Sequence, residues 1–284
     1  MPLPSVFHGP RPQRNPLGAL ASGLLLALVP LTAFPAPDPD PWADGLGFNN
    51  PAAIQHFRKL REAAPADTRL MLGQASALLG RQPETAANIE RAAALLRTVN
   101  SDRDALASHR ATARYLLGRI AQDHLASPDL NAAHEHYRSV MRDFPEHPLA
   151  GEAAVNLGYL LRWRTPALPP VEIDEGLTKL LAEVTTPAAR RELLFLLGEV
   201  RRGELKDKAG AREALLSARK IGFETPGRNG DIDLLIASLS TDLGDPATAI
   251  THYRAFLHDY PRDNRATTVR ILASELEATL ASRP

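Results

Sequence analysis

The sequence contains no cysteine among its 284 residues. This absence excludes disulfide bonds, thiolate metal sites, cysteine nucleophiles and a lipid-modified N-terminal cysteine. Aromatic residues are also scarce, at 5% of the chain, although apolar residues make up 44% of it. The core must therefore be built mainly from alanine and leucine, as expected where helices pack closely through small side chains.

Neither sign of charge predominates, because 33 Lys and Arg residues are balanced by 33 Asp and Glu residues. No run of Lys or Arg is longer than two residues. Proteins that bind nucleic acids usually carry a basic stripe, since neutralisation of phosphates supplies much of their affinity. The charge distribution therefore argues against a nucleic-acid-binding protein.

Catalytic motifs are also missing from the sequence. It contains no GxSxG or HExxH motif, no glycine-rich phosphate loop and no supported pair of catalytic carboxylates. His134 and His136 lie two positions apart, so on a helix they point to different faces and lack the spacing of a zinc pair. We therefore expect no enzymatic activity, no metal and no cofactor.

The N-terminal region, residues 1–36, has the pattern of a secretory signal peptide. Arg11 and Arg14 precede an apolar run from Leu17 to Val29, and no acidic residue occurs before Asp38. A positive flank followed by a short apolar run is typical of export signals. An uncleaved N-terminal anchor is the alternative, and both interpretations predict a periplasmic or secreted protein. Residues 37–50 then form a linker rich in proline, aspartate and glycine, which we expect to be extended or disordered.

The clearest pattern lies between Asp231 and Arg265. Apolar residues recur there at three- and four-residue steps on both sides of Gly244-Asp245-Pro246, which predicts two amphipathic helices joined by a tight turn. Ala237 and Ala249, one on each helix, are small enough to let the two helices approach closely. This stretch is predicted to form one helix pair.

The same arrangement recurs along the chain. Ala133, Tyr137 and Pro145 repeat the spacing of Ala249, Tyr253 and Pro261, and small residues mark the preceding helices. Successive small residues are 45, 40, 40 and 39 positions apart (118 − 73, 158 − 118, 198 − 158, 237 − 198). These are Gly73, Gly118, Gly158, Gly198 and Ala237. No alternating strand pattern competes with this periodicity. The sequence therefore predicts an all-α fold over residues 51–284, with about five helix pairs and a capping helix at Asn264–Leu280.

This pattern resembles the tetratricopeptide repeat, a helix–turn–helix unit that stacks into a right-handed superhelix, or α-solenoid. The resemblance implies an inner wall made by the first helix of each pair, and a protein or peptide as partner. The phrases HYRSVMRDFPEHPLAGEAAVNLGYLL and HYRAFLHDYPRDNRATTVRIL are similar to exported bacterial repeat proteins of the cell envelope. Those proteins include the outer-membrane-protein assembly lipoprotein and the Tol–Pal-associated division coordinator. This chain departs from the lipoproteins because it has no cysteine to acylate.

The repeat phase also predicts which side chains reach the inner wall. Residues one and four positions after each small residue should turn toward it, and an aromatic residue lies one turn earlier on one helix. Aromatic and arginine side chains are the types that anchor interfaces. The candidate partner-binding residues are Arg119, Gln122, Tyr159, Arg162, Phe195, Glu199 and Arg202. The alternative is that Phe195 belongs to the core and that the arginines pair with Glu199.

We therefore interpret the sequence as an exported, non-enzymatic scaffold that recruits another protein of the cell envelope. One alternative is an accessory helical domain of a cell-wall enzyme complex. The other is a structural repeat protein that assembles with copies of itself, which light scattering would distinguish from a monomeric adaptor.

Overall fold

The structure is a computed structural model that describes residues 41–47, 49–163 and 167–282. These residues form thirteen α-helices and, within these ranges, no strand. The signal peptide or anchor predicted for residues 1–36 lies outside the described residues, as do residues 37–40 of the linker. The predicted all-α class of consecutive packed helices is confirmed, and the packing is described for each unit below.

The chain divides into two compact units, residues 1–133 and 134–284, and the boundary falls within one helix. The first unit contains five complete helices and the start of a sixth, and successive helices α1 to α5 pack against each other. They are α1 (Pro41–Leu46), α2 (Asn50–Ala63), α3 (Thr68–Gly80), α4 (Ala86–Ser101), α5 (Ala107–Arg119) and α6 (Leu130–Asp143).

The second unit contains the rest of α6 and seven further helices, and from α7 onward each helix packs against the next. These helices are α7 (Pro148–Trp163), α8 (Pro170–Glu183), α9 (Pro187–Val200), α10 (Lys208–Ile221), α11 (Pro226–Asp242), α12 (Pro246–Asp259) and α13 (Ala266–Ala281). The predicted pairs are α3/α4, α5/α6, α7/α8, α9/α10 and α11/α12, and α13 corresponds to the predicted capping helix.

Local sequence signals explain where these helices begin. Proline occupies the first turn of α8, α9, α11 and α12, where its fixed φ suits the helix and its missing N–H is not needed. The side chain of Asp67 accepts hydrogen bonds from the backbone N–H groups of Arg69 and Leu70 at the start of α3. Thr85 caps α4 in the same way, and such caps satisfy donors that lack an intrahelical partner.

Small residues allow the close approach of helices. A Cβ atom added at Gly158 would lie 2.8 Å from Leu193 Cδ2 and 3.1 Å from Leu177 Cδ2. Gly158 therefore contacts the second helix of its own pair and also the first helix of the next pair. Ala237 and Ala249 are both buried in one cluster with Tyr253 and Phe256.

Two predicted boundaries are wrong. The linker was expected to run to Asn50, but residues 41–46 form α1, because Trp42 packs edge-on against Phe57 with ring centroids 4.8 Å apart. The segment Gly222 to Gly230, in which Phe223 is the only large apolar residue, is predicted from its sequence to be a polar loop. Instead α11 begins at Pro226, and the side chain of Asn229 bonds back to the backbone of Phe223.

Two of the first helices continue into a single π-helical turn. α5 runs into Ile120–His124 and α9 runs into Arg201–Leu205. Lys206, which has a positive φ of 59°, ends the second of these turns. Such turns add a residue to the helical repeat and redirect the side chains that follow.

Among the described residues, no helix combines the length and the apolar character that a bilayer crossing requires.

Candidate interaction surface

The seven candidate residues lie on three first helices or on the π-helical turns that continue them. Arg119 ends α5 and Gln122 lies in the following turn, so both belong to the first unit. The other candidates belong to the second unit: Tyr159 and Arg162 on α7, Phe195 and Glu199 on α9, and Arg202 in the turn after α9.

Arg119 offers little surface to a partner. Only 8% of the residue is exposed, and its Nε donates a hydrogen bond of 2.8 Å to Asp123, four residues later. Gln122 is half-buried. The two candidates in the first unit are therefore less accessible than the repeat phase predicts.

Tyr159 and Arg162 surround an exposed tryptophan that the repeat phase does not select. The rings of Tyr159 and Trp163 stack at 4.9 Å with an interplanar angle of 11°. The guanidinium carbon of Arg162 lies 5.4 Å from the centre of the Trp163 ring. Trp163 remains 55% exposed. We call Tyr159, Arg162 and Trp163 the aromatic ledge.

The aromatic ledge is next to charged residues of α9 and α11. Burial raises the pKa of Tyr159 above its ordinary value, and the carboxylate of Glu192 adds to this shift. The arginines Arg228 and Arg162 act in the opposite direction. Glu192 lies on α9 and Arg228 on α11, so side chains of both following first helices influence the tyrosine.

Phe195 is half-buried and packs against the core cluster that contains Leu215 and Ile232. Its ring also meets Phe223 edge-on at 6.1 Å. The ring of Phe195 is therefore partly in the core, as the alternative interpretation predicted.

The candidate arginines of the second unit have different partners. Arg202 pairs with Glu199 at 3.1 Å, whereas Arg162 pairs with Glu204 at 3.2 Å.

Arg228 is the central residue that the sequence analysis missed. Its Nη1 and Nη2 donate to Glu192 Oε1 and Oε2 at 3.1 and 2.8 Å. Its guanidinium carbon also lies 4.6 Å from the ring centre of Phe195 and 4.3 Å from that of Phe223. Arg191 contacts Phe223 from α9 at 5.0 Å and donates a hydrogen bond to the carbonyl of Gly222. These contacts fix the start of α11 against α9.

The π-helical turn after α9 links this region to the preceding pair. Arg201 donates to both carboxylate oxygens of Asp174 on α8, at 2.7 and 3.2 Å. Glu204, three residues later in the same turn, pairs with Arg162 on α7. The turn therefore contacts both helices of the pair before it.

The charged side chains around the aromatic ledge pair with one another. The ion pairs are Arg162 with Glu204, Arg202 with Glu199, and Arg228 with Glu192. Glu192 serves two arginines, because Arg191 Nε also lies 3.2 Å from its Oε1, and Trp163 is the exposed large apolar residue of the aromatic ledge. Within the described ranges, no group of three or more His, Asp or Glu side chains is arranged to hold a metal ion.

No protein-family model matches the chain, and no curated protein shows significant sequence similarity to it. Among solved structures, the chain is similar to that of yeast Tom70, with 12% sequence identity and a TM-score of 0.33. The alignment covers 87% of this chain and 62% of the Tom70 chain, so this chain spans less than two thirds of that protein's length.

Proposed function

We propose that this protein is a non-enzymatic scaffold that binds another protein through the surface of α7 and α9. The observation that supports this function most directly is the aromatic ledge. An exposed tryptophan, stacked on a tyrosine and next to an arginine, combines the residue types that carry most of the binding energy at interfaces. Helix pairs of this kind provide a rigid support for such a group.

The test is capture of the native partner by a double variant, Tyr159→Ala with Arg162→Ala. We expect capture to weaken at least about tenfold, which corresponds to about 1.4 kcal/mol, while the helical circular dichroism signal stays unchanged. The matched control is Val171→Ala with Arg254→Ala, which removes an exposed apolar residue and an exposed arginine elsewhere in the same unit. Full retention of the partner by the Tyr159 and Arg162 variant would contradict the proposed surface.

The location that we propose is the bacterial cell envelope, with the protein exported to the periplasm or secreted. Support comes from Arg11, Arg14 and the apolar run that follows them, and from the resemblance to exported repeat proteins. Protein recovered from its native host should begin between about residues 34 and 38. An intact Met1 in a soluble cytosolic fraction would contradict export.

A further inference from the structure

The helix α7 begins with a histidine cap. His147 precedes Pro148, the first residue of α7, and the backbone N–H of Leu149 donates a hydrogen bond of 3.2 Å to His147 Nδ1. We infer that this cap is sensitive to acid: protonation of His147 removes the acceptor and loosens the first turn of α7. The inference goes beyond the proposed function, because it requires no partner, although α7 is also the helix that carries Tyr159 and Arg162.

The hydrogen bond fixes the protonation state of the ring. In a neutral imidazole one nitrogen accepts and the other carries the hydrogen, whereas both nitrogens carry hydrogens in the imidazolium. Because Nδ1 of His147 accepts from Leu149, its hydrogen is on Nε2. Protonation would place a second N–H at Nδ1, directed at the N–H of Leu149, so the hydrogen bond cannot persist in the charged form.

Leu149 has a particular need for this acceptor. Pro148 has no backbone N–H, so Leu149 supplies the first N–H of the helix, and this N–H has no intrahelical partner. Leu149 is also buried, and a buried N–H without a partner costs free energy. The next N–H, that of Ala150, bonds instead to the backbone carbonyl of His147. The imidazole therefore satisfies a donor that burial keeps from water.

Burial and the helix itself both favour the neutral ring. His147 is half-buried, and burial lowers the pKa of its imidazole below the ordinary value. The N-terminus of a helix carries a partial positive charge, which also disfavours a cation there. A histidine in an unfolded chain protonates near about pH 6.5. The stability that the neutral cap contributes is therefore complete above about pH 6.5, and it is lost as the pH falls from there through the lower pKa of the folded state.

The described charged residues around this end of α7 do not offset the effect of burial on His147. They belong to α6, to the connector before α7, to α7 itself, and to the end of α8 and the start of α9, which both pack against α7. They are Arg142, Asp143, Glu146, Glu152, Glu183 and Arg190. Asp143 pairs with Arg142, and Glu183 pairs with Arg138. None of the six contributes to the pKa shift of His147, which burial produces alone.

Other described helix starts use caps that mild acid does not remove. Carboxylate or hydroxyl oxygens accept backbone N–H groups at the starts of α3, α4, α6, α10 and α12. Those caps are Asp67, Thr85, Asp129, Asp207 and Asp245. Carboxylates ordinarily stay ionised, and hydroxyls stay acceptors, down to about pH 5. Mild acid is therefore expected to act at the start of α7 and to leave these five starts in place.

The experiment compares the full chain with two variants by NMR. His147→Asn keeps a side-chain oxygen that caps a helix and does not titrate. His258→Asn is the matched control, because it changes a histidine of the same unit whose side chain is 88% exposed. Nitrogen chemical shifts of the imidazole report which nitrogen carries the hydrogen. The exchange rate of the Leu149 amide, corrected for its intrinsic pH dependence, reports the cap.

We expect the wild-type His147 ring to carry its hydrogen on Nε2 at about pH 7.5, and to titrate at a lower pH than the same ring in the urea-unfolded chain. Between about pH 7.5 and about pH 5, the protection of the Leu149 amide should fall at least about fivefold in wild type and in His258→Asn, because the cap is lost. In His147→Asn the protection should change less than about twofold, because the amide oxygen remains an acceptor.

A hydrogen on His147 Nδ1 at about pH 7.5 would overturn the inference. An equal loss of protection in wild type and in His147→Asn would also overturn it, since acid would then act on α7 through other groups. The nitrogen shifts are measured on the unmodified chain, so the first test remains decisive if His147→Asn impairs folding. Neither outcome bears on partner capture, which tests the proposed function separately.

Discussion

Tyr159 and Tyr253 lie in the same unit, and burial raises the pKa of both, yet they have different surroundings. Tyr253, on the second helix of its pair, is 6% exposed and packs in a cluster with Ala237, Ala249 and Phe256. Tyr159, on a first helix, is half-buried against the exposed Trp163. One tyrosine contributes to the core, and the other forms part of a surface.

The position of each tyrosine within its helix pair explains this difference. Tyr253 lies four residues after Ala249, so both side chains point to the neighbouring helix α11. Tyr159 directly follows Gly158, and one residue along a helix rotates the side chain by about 100°. That rotation turns the tyrosine away from the contact that the glycine makes with Leu177 and Leu193.

The largest expected effect is on stability. Tyr253→Ala should lower the free energy of unfolding by about 3 kcal/mol, because it leaves a cavity among buried side chains. Tyr159→Ala should lower it by less than about 1 kcal/mol, because the ring is partly in water already. Urea denaturation followed by circular dichroism measures both, and equal losses would show that the two tyrosines have the same structural role.

A larger side chain at Gly158 tests the close contact that this residue makes with Leu177 on α8 and Leu193 on α9. Gly158→Leu should destabilise the protein by about 1–3 kcal/mol, because even a Cβ atom there would lie 2.8 Å from Leu193 Cδ2. Gly203→Leu is the matched control, since a Cβ atom at Gly203 meets no atom within 4 Å among those described. A denaturation midpoint unchanged by Gly158→Leu would contradict the close approach.

The periodicity of the sequence is sufficient to predict the helix pairs and the buried surroundings of Tyr253. Ala249, Tyr253 and Phe256 are spaced so that only one helix face holds them all, and the structure buries all three. The capping helix and the position of Gly158 opposite Leu177 follow from the same pattern.

The side-chain contacts at the candidate surface are less predictable from the sequence. Arg228 is 36 positions from Glu192 along the chain, and its partner is fixed only when α9 and α11 come together. Arg119 is selected for the inner wall, but it is buried, and its partner Asp123 stands at the i, i+4 spacing that the sequence already shows. Trp163 is five positions after Gly158, one beyond the positions that the repeat phase selected. Local patterns indicate helix faces, whereas the contact between Arg228 and Glu192 depends on a neighbouring helix.

A smaller effect on stability is expected at Arg228, which connects α11 to α9 through its ion pair with Glu192. Arg228→Ala should cost about 1 kcal/mol, because it removes a partly exposed bidentate ion pair and two aromatic contacts. The control Arg254→Ala removes a well-exposed arginine that pairs with Glu277 and should cost less than about 0.5 kcal/mol. If both variants lost the same stability, the contacts of Arg228 with Phe195 and Phe223 would contribute nothing measurable.

The smallest expected effect lies at the start of α13, which packs on the cluster around Tyr253. Hydrogen bonds from the Arg265 side chain and backbone lower the pKa of Asp263 to about 2. A carboxyl whose pKa is lower in the folded state stabilises the fold above its unfolded pKa of about 4, and this contribution is lost as the pH falls toward about 2. Asp263→Asn should therefore reduce stability at about pH 6 by less than about 1 kcal/mol, because solvent screens the interaction between Asp263 and Arg265. The difference in stability from wild type should shrink between about pH 4 and about pH 2. Urea denaturation at several pH values measures this, with the exposed Asp104→Asn as control. A difference that stays constant down to about pH 2 would show that the asparagine change acts through helix capping rather than through charge.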